Sequence, residues 1–388
     1  MRKQFALLLA ALLLSGAAVA ADKIRIGFMS TMSGPSGAWG NEIKDGFNLG
    51  LKTLGGKLGG IPAEVFYADD TGNPETGKQL ADKLLKRDKV DLITGIIFGQ
   101  VTLAVAPAAI ANQSFYISTY PGPNEYAGDK CSPFYFTVGF QSDAHHEAMG
   151  KHLSDKGYKR VYVIVPNFPA GKDAVNGFKR FYKGELAGEV YTKVNQPDYS
   201  AEIAQLRAAK PDAVYIFLPG GMGISFAKQY NQAGLSKELP LSGPGSSFDE
   251  DVLRAVGDTV LGSINAAQWN HDLDNAQNKK FVADFEKEYN RLPSLYSALA
   301  YDSIAYLDAA VRDAKGKIED RQAFRKALEA ANFKSVRGPF KLNPNHNTVQ
   351  NYYLREVVKD QKGRITNKTV GTVLTGHADA YGPQCKMN

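Results

Sequence analysis

The sequence predicts an α/β protein of two lobes, each a parallel sheet flanked by helices, joined by a three-strand hinge. Three observations predict it. Short apolar strands alternate with amphipathic helices, as parallel sheets covered on both faces require. The alternation runs twice, once over about Ile24 to Ser118 and again over about Val161 to Ser242. Extended passages at Cys131–Gln141, Gly262–Trp269 and Gly338–Leu342 fall outside the two series and read as crossovers.

In chain order, Arg2 and Lys3 precede an apolar run from Phe5 to Leu14 and the small residues Ala18, Val19 and Ala20. That is the pattern of a cleavable secretion signal over residues 1–20, too short to span a membrane. The first cysteine is Cys131, so no lipid attachment site follows the cleavage point, and a soluble periplasmic protein is expected. Next comes IRIGFMSTMSGPSGAWGNEIKDGFNLGLKTLGG. Its strand residues Ile24, Ile26, Phe28 and Met29 run into a Ser/Gly/Pro turn, and the following helix carries Ile43, Phe47, Leu49 and Leu51 on its apolar positions. Trp39 stands in the connection, where a ligand can be held.

Further strands are predicted at 63–68, 90–94, 115–118, 161–165, 188–193, 213–217 and 262–266. Helices are predicted at 74–86, 102–112, 144–156, 173–183, 199–209 and 224–233, with a helical region over 275–331. In this arrangement ligands sit beyond the carboxyl ends of the strands. The lobes are expected to be discontinuous, one built from 21–140 plus 268–338 and the other from 141–267 plus 339–388.

The 388 residues carry 46 basic and 40 acidic side chains, a net charge of +6 that falls when Arg2 and Lys3 are removed with the signal. This is too mild and too dispersed for a nucleic-acid partner. Two cysteines, Cys131 and Cys385, in a compartment that permits disulfides are expected to pair. No nucleophile elbow, zinc-protease motif, P-loop or dinucleotide fingerprint is present, so no catalytic residue and no cofactor is assigned. His145, His146, Glu147 and His152 lack the geometry of a shared metal site and read as a solvated helix face. Asp69 and Asp70 lack the spacing of a Ca²⁺ loop and read as packing beside the cleft or capping the turn at Thr71-Gly72.

IRIGFMSTMSGPSGAWG, YADDTGNPETG, LITGIIFGQVTLAVAPAA, PNFPAGKDAVNGFKRFY, DYSAEIAQLRAAKPDAVYIFLPGG, LSGPGSSFDEDVLRAVGDTVLG and PSLYSALAYDSI occur in that order. Together they resemble the leucine/isoleucine/valine-binding group of periplasmic binding proteins, the solute receptors of ATP-driven importers. The resemblance implies two hinged lobes closing over a small-molecule ligand, and handover to ABC permease subunits at the inner membrane. A monomer is expected.

In that group the ligand acid lies at the loop and helix start that read here Phe98, Gly99, Gln100 and Val101, and at the strand end Ser118, Thr119 and Tyr120. Free N–H groups and the helix dipole suit an anion there without an arginine. Amino-acid binders of the group carry a Glu after a Gly-Pro pair; here Gly245 takes that place, followed by Ser246. Asp249 and Glu250 are the acids near enough to replace it. The expected ligand is an aromatic carboxylate of benzoate, hydroxybenzoate or phenylpropenoate type, its ring among Trp39, Phe98, Tyr120 and Phe168, with room left by Pro219, Gly220 and Gly245. The alternatives are a branched-chain amino acid or amide, and, from a different class, a periplasmic enzyme.

Overall fold

A computed structural model describes residues 22–34 and 36–387. The signal segment 1–20 lies outside the described residues. The first lobe begins β1 (Ile24–Ser30), α1 (Gly37–Thr53), β2 (Lys57–Leu58), β3 (Ile61–Asp69), α2 (Pro74–Asp82), β4 (Leu92–Thr94) and α3 (Gly99–Ala111). It continues with β5 (Phe115–Ser118), β6 (Pro121–Gly122), α4 (Asn124–Ala127), β7 (Tyr135–Thr137) and β8 (Phe140–Gln141). The second lobe holds α5 (Ala144–Asp155), β9 (Arg160–Pro166), α6 (Pro169–Phe181), β10 (Glu185–Thr192), α7 (Ser200–Ala209) and β11 (Ala213–Ile216). After these come α8 (Gly221–Gln232), β12 (Leu241–Pro244), α9 (Glu250–Val256) and β13 (Ile264–Ala267). The chain ends with α10 (Ala276–Tyr289), α11 (Leu295–Asp313), α12 (Arg321–Ala330), β14 (Phe340–Leu342), β15 (Thr348–Lys359) and β16 (Ile365–His377).

Two sheets form the centres of the lobes, one ordered β2-β3-β1-β4-β5-β7 and the other β10-β9-β11-β12-β13-β15-β14, with β16 on β15. Their central strands are parallel: Ile26 of β1 lies opposite both Val65 and Leu92, and Val163 of β9 opposite Tyr215 and Glu189. Helices cover both faces, so central strands are buried on both sides and read as unbroken apolar runs. The helices α10, α11 and α12 return to the first lobe, where Phe281, Tyr296, Leu299 and Phe324 share a core with Ile24, Phe47 and Phe115. Close packing of α1 on α11 rests on Gly46, where a Cβ would stand 2.0 Å from the Ser297 carbonyl oxygen. The final strands then rejoin the second sheet.

Cys131 and Cys385 form a disulfide that ties the tail to the segment between α4 and β7. Asp69 and Asp70 cap the turn through Thr71 N and Gly72 N. Two expectations are corrected. The face carrying His145, His146, Glu147 and His152 is buried, because α5 packs between α6 and the second sheet. His145 pairs with Gln268 and His146 with the Tyr215 hydroxyl. Burial holds His145 down to about 3 and His152 to about 4, and holds His146 well below the usual imidazole range, so these rings are neutral. The second correction is the antiparallel pair β15–β16, the longest strands of the protein, in a stretch where no strand was predicted beyond residue 342.

Candidate functional site

Five strand ends converge between the lobes: β4 and β5 from the first sheet, and β9, β11 and β12 from the second. The loops beyond them, with Trp39 of α1 and Tyr296 of α11, enclose a cavity of about 720 Å³. Its position follows from topology, since parallel strands deliver their carboxyl ends to one side and leave the loops there free to carry side chains. Two other hollows, at Tyr230–Ser263 and Lys151–Glu185, lie on the second lobe alone.

Eight of the residues singled out from sequence line the cavity. Trp39, Phe98, Gly99, Gln100 and Tyr120 do so from the first lobe, and Phe168, Pro219 and Ser246 from the second. On the first-lobe side the Trp39 and Tyr296 rings stack at 5.8 Å, and Tyr296 stacks on Tyr120 at 4.6 Å. The Tyr120 hydroxyl donates to that of Tyr296, and burial holds both phenols neutral by raising their pKa values. Phe98 leans on Trp39 at 6.0 Å. Across the cavity Phe168 meets Phe217 at 6.2 Å. The walls are therefore aromatic on both lobes.

The start of α3 opens onto the same space. Gly99 and Gln100 line it, and no side chain caps that helix end; Val101 and Thr102 donate to the Phe98 carbonyl oxygen, which leaves the Gly99 and Gln100 N–H groups and the positive dipole end available to an anion. The loop reaches this place through Gly95, which excludes a side chain because its φ is +98° and a Cβ there would stand 2.8 Å from the Met29 carbonyl oxygen.

Four expected positions do not line the cavity. Ser118 is buried and turns its hydroxyl to the Tyr120 carbonyl, and Thr119 pairs with Thr94 at 2.6 Å. These hydroxyls close the strand ends. Gly220 packs against Trp39, where a Cβ would stand 2.4 Å from the indole Cζ2. A Cβ at Gly245 would point to Ala267 and Arg355, at 2.7 and 2.8 Å, so the residue of that loop that faces the cavity is Ser246. The neighbouring acids are turned elsewhere. Asp249 accepts from the Leu295 N–H at 2.8 Å, while Glu250 accepts from Thr366 and from the Asn367 N–H.

Sequence reasoning missed Tyr296, Phe217 and a polar end formed by Glu125, Lys172, Asp173 and Asn176. The spacing of Lys172, Asp173 and Asn176 places them on one side of α6. Burial, with Asp143 and Glu125 nearby, pushes the Asp173 carboxyl up to about 7. Among the described residues no group of three or more His, Cys, Asp or Glu side chains is placed to hold a metal ion, and no helix is long and apolar enough to cross a membrane.

Comparison with known proteins adds three findings. The family model for periplasmic binding proteins matches residues 23–363. A solute-binding protein of an ABC transporter from R. palustris, solved in complex with benzoate, is 31% identical; the match covers 94% of this chain and 99% of that one, with a TM-score of 0.87. A second, from Rhodopseudomonas palustris BisB5 in complex with 3,4-dihydroxy benzoic acid, is 29% identical over 93% and 99% of the two chains, with a TM-score of 0.85. Among curated proteins, a Leu/Ile/Val-binding protein homolog 6 of Brucella melitensis is 28% identical, over 94% of this chain and 95% of the relative.

Proposed function

The chain belongs to the periplasmic binding protein family, and from that premise we propose that it captures a small aromatic carboxylate and delivers it to an ABC importer. The family places it in the periplasm as the solute-binding component of such a transporter. Closure is a hinge motion of the lobes 21–140 plus 268–338 and 141–267 plus 339–388, with the connecting passages taking up the φ/ψ change.

The observation that carries the ligand class is the pairing of aromatic walls on both lobes with an uncapped helix start at Gly99 and Gln100. A flat ring fills the slot between Trp39, Tyr120 and Phe168, and its carboxylate takes the N–H groups of α3. The usual receiver of an ammonium is missing: the cavity-facing residue of the Gly-Pro loop is Ser246, and Asp249 and Glu250 are spent on Leu295, Thr366 and Asn367. An α-amino group closed in without a negative partner costs several kcal/mol, on the order of 3 to 5. The two palustris proteins, each solved with a benzoate-type ligand, support the same class.

One observation favours a second reading, a branched-chain amino acid or amide: Asp173 and Glu125 line the cavity and either could receive an amine. Calorimetry against benzoate, 4-hydroxybenzoate, cinnamate, leucine and leucinamide separates the two. Micromolar binding of an aromatic acid, with none of leucine, is the expected result. Tight leucine binding that disappears in Asp173→Asn would establish the second reading instead.

A further inference from the structure

Helix α1 of the first lobe meets α9 of the second through two polar pairs set at matching intervals. The Trp39 Nε1–H donates to Asp251 Oδ2 at 2.7 Å, and Arg254 Nη2 donates to Glu42 Oε1 at 2.9 Å. On each helix the partners are three residues apart, one turn, so the same faces of both helices are engaged twice. The receiving groups are prepared in advance. Glu42 is buried and its other oxygen is held by Arg291 and the Ser297 hydroxyl, both of the first lobe, so Arg254 meets a carboxylate already fixed in place.

Trp39 gains most from this arrangement. Its ring lines the cavity, stacks within 9° of the Tyr296 plane and lies against Gly220 of the second lobe. An indole in that slot could rotate about its side-chain bonds; the N–H to Asp251 fixes which edge faces outward and therefore which face meets the cavity. Asp251 itself does not line the cavity, and its Oδ1 is buried with no hydrogen-bond partner among the described residues.

We propose that Trp39–Asp251 and Glu42–Arg254 form a clasp between α1 and α9 that slows reopening of the lobes, with Asp251 acting as a positioning residue for the Trp39 wall. This rests on the reading of the cavity as the ligand site of a hinged receptor. All four groups belong to the chain, so the clasp forms whenever the lobes close, with or without a ligand, and a ligand lengthens its life. Specificity for the ring is then set partly by residues that never touch it.

The test uses the full mature chain and three variants, Asp251→Ala, Asp251→Asn and Arg254→Ala. With benzoate as probe in stopped-flow measurements, Asp251→Ala and Arg254→Ala should each release it about tenfold faster with the association rate changed by less than about twofold. Asp251→Asn, whose amide oxygen still accepts from the indole, should stay within about threefold of the wild type. Release rates unchanged in both alanine variants would remove the clasp. Without ligand, acrylamide quenching of tryptophan emission reports Trp39 alone, since Trp269 is fully buried. Quenching should rise in both alanine variants, and identical quenching in all four proteins would refute the proposal even if benzoate were not a ligand. Failure of the wild type to bind benzoate, with quenching still altered, would instead count against the aromatic-acid reading alone.

Discussion

The guanidinium of Arg337 lies against the carboxylate of Asp302, Nε to Oδ2 at 2.7 Å, with neither side chain exposed. Its Nη1 also donates to the carbonyl oxygens of Val138 and Gly139 and to Gln350 Oε1. One cation thus joins α11 to the first passage between the lobes and to β15. A pair this deep stabilises little against an apolar replacement of both partners, but removing one partner strands the other charge. Arg337→Met should therefore lower the unfolding free energy by about 3–5 kcal/mol, measured by urea denaturation. Arg337→Lys should recover little, because an ammonium cannot reach four acceptors in fixed directions. A loss below about 1 kcal/mol for the methionine variant would show that Asp302 finds another hydrogen-bond partner at small cost.

The disulfide gives a second prediction. Cys131 and Cys385 stand 254 residues apart, and their link restricts the unfolded chain far more than a short loop would. Changing both to Ser should cost about 3–5 kcal/mol in the chain-entropy model, a ceiling that measured values often miss. The tail is also tied to the first lobe through Asn345, whose amide donates both to Asp379 and to the Ala127 carbonyl oxygen, so thermal denaturation of the double variant should show one cooperative transition at lower temperature. Loss of benzoate binding at a temperature where the variant is still folded would contradict a purely structural role.

What the sequence discloses and what it hides differ for physical reasons. The unit β1–α1 is legible because an apolar strand, a Ser/Gly/Pro turn and an amphipathic helix are each specified by adjacent residues. Trp39, Phe98, Tyr120 and Phe168 are legible because parallel sheets always present loops at their carboxyl ends. Tyr296 is not, since it reaches Tyr120 from 176 residues away. The strand β15 interrupts its apolar residues with Gln350, Asn351, Arg355 and Glu356, and two of these are buried only because distant partners satisfy them: Gly139 takes the Gln350 amide, and Asn265 the Arg355 guanidinium. The imidazoles of α5 misled in the same way, as polar residues whose partners Gln268 and Tyr215 come from other elements.

Trp39 is the largest side chain that lines the first-lobe side of the cavity. Truncation to Ala removes the ring that covers the ligand, and calorimetry with benzoate should record a loss of about 1–3 kcal/mol. Trp39→Phe should lose less, because a smaller ring still packs on Tyr296 while forfeiting the N–H to Asp251. Equal affinity in the alanine variant would put the ligand elsewhere in the cavity, nearer Phe168 and Phe217.

Asp249 tests whether any acid of the Gly-Pro loop serves the ligand. Its two oxygens meet the Leu295 N–H, at the first turn of α11, at 3.1 and 2.8 Å, so its work is to tie the second lobe to that helix end. Asp249→Ala should lower stability by about 1–2 kcal/mol through the lost cap. The order of affinities across aromatic acids and amino acids should not change. A selective loss of leucine binding in this variant would mean that Asp249 reaches an amine after all.

Asp173 gives the pH prediction, and its sign follows from the direction of the shift. Burial and the nearby Asp143 and Glu125 raise its folded pKa to about 7, above the value of about 3.9 for an unfolded chain. Folding therefore favours the protonated form: the charged carboxylate costs stability above pH 7, and the cost fades as pH falls from 7 toward 4. Solvent still reaches the group, so the cost is well below that of a fully buried charge. Asp173→Asn removes it, and scanning calorimetry should find the variant about 2–4 °C more stable than the wild type at pH 8 and indistinguishable at pH 4.5. Glu125 lies on the first lobe and Asp173 on the second, so closure brings the two acids together and should take up a proton near pH 7. Calorimetry of benzoate binding in two buffers of different ionisation enthalpy reads this directly. Uptake in the wild type that vanishes in Asp173→Asn is the expected outcome; proton release, or uptake unchanged in the variant, would mean that a ligand donor holds Asp173 charged in the closed cavity, as an amine would.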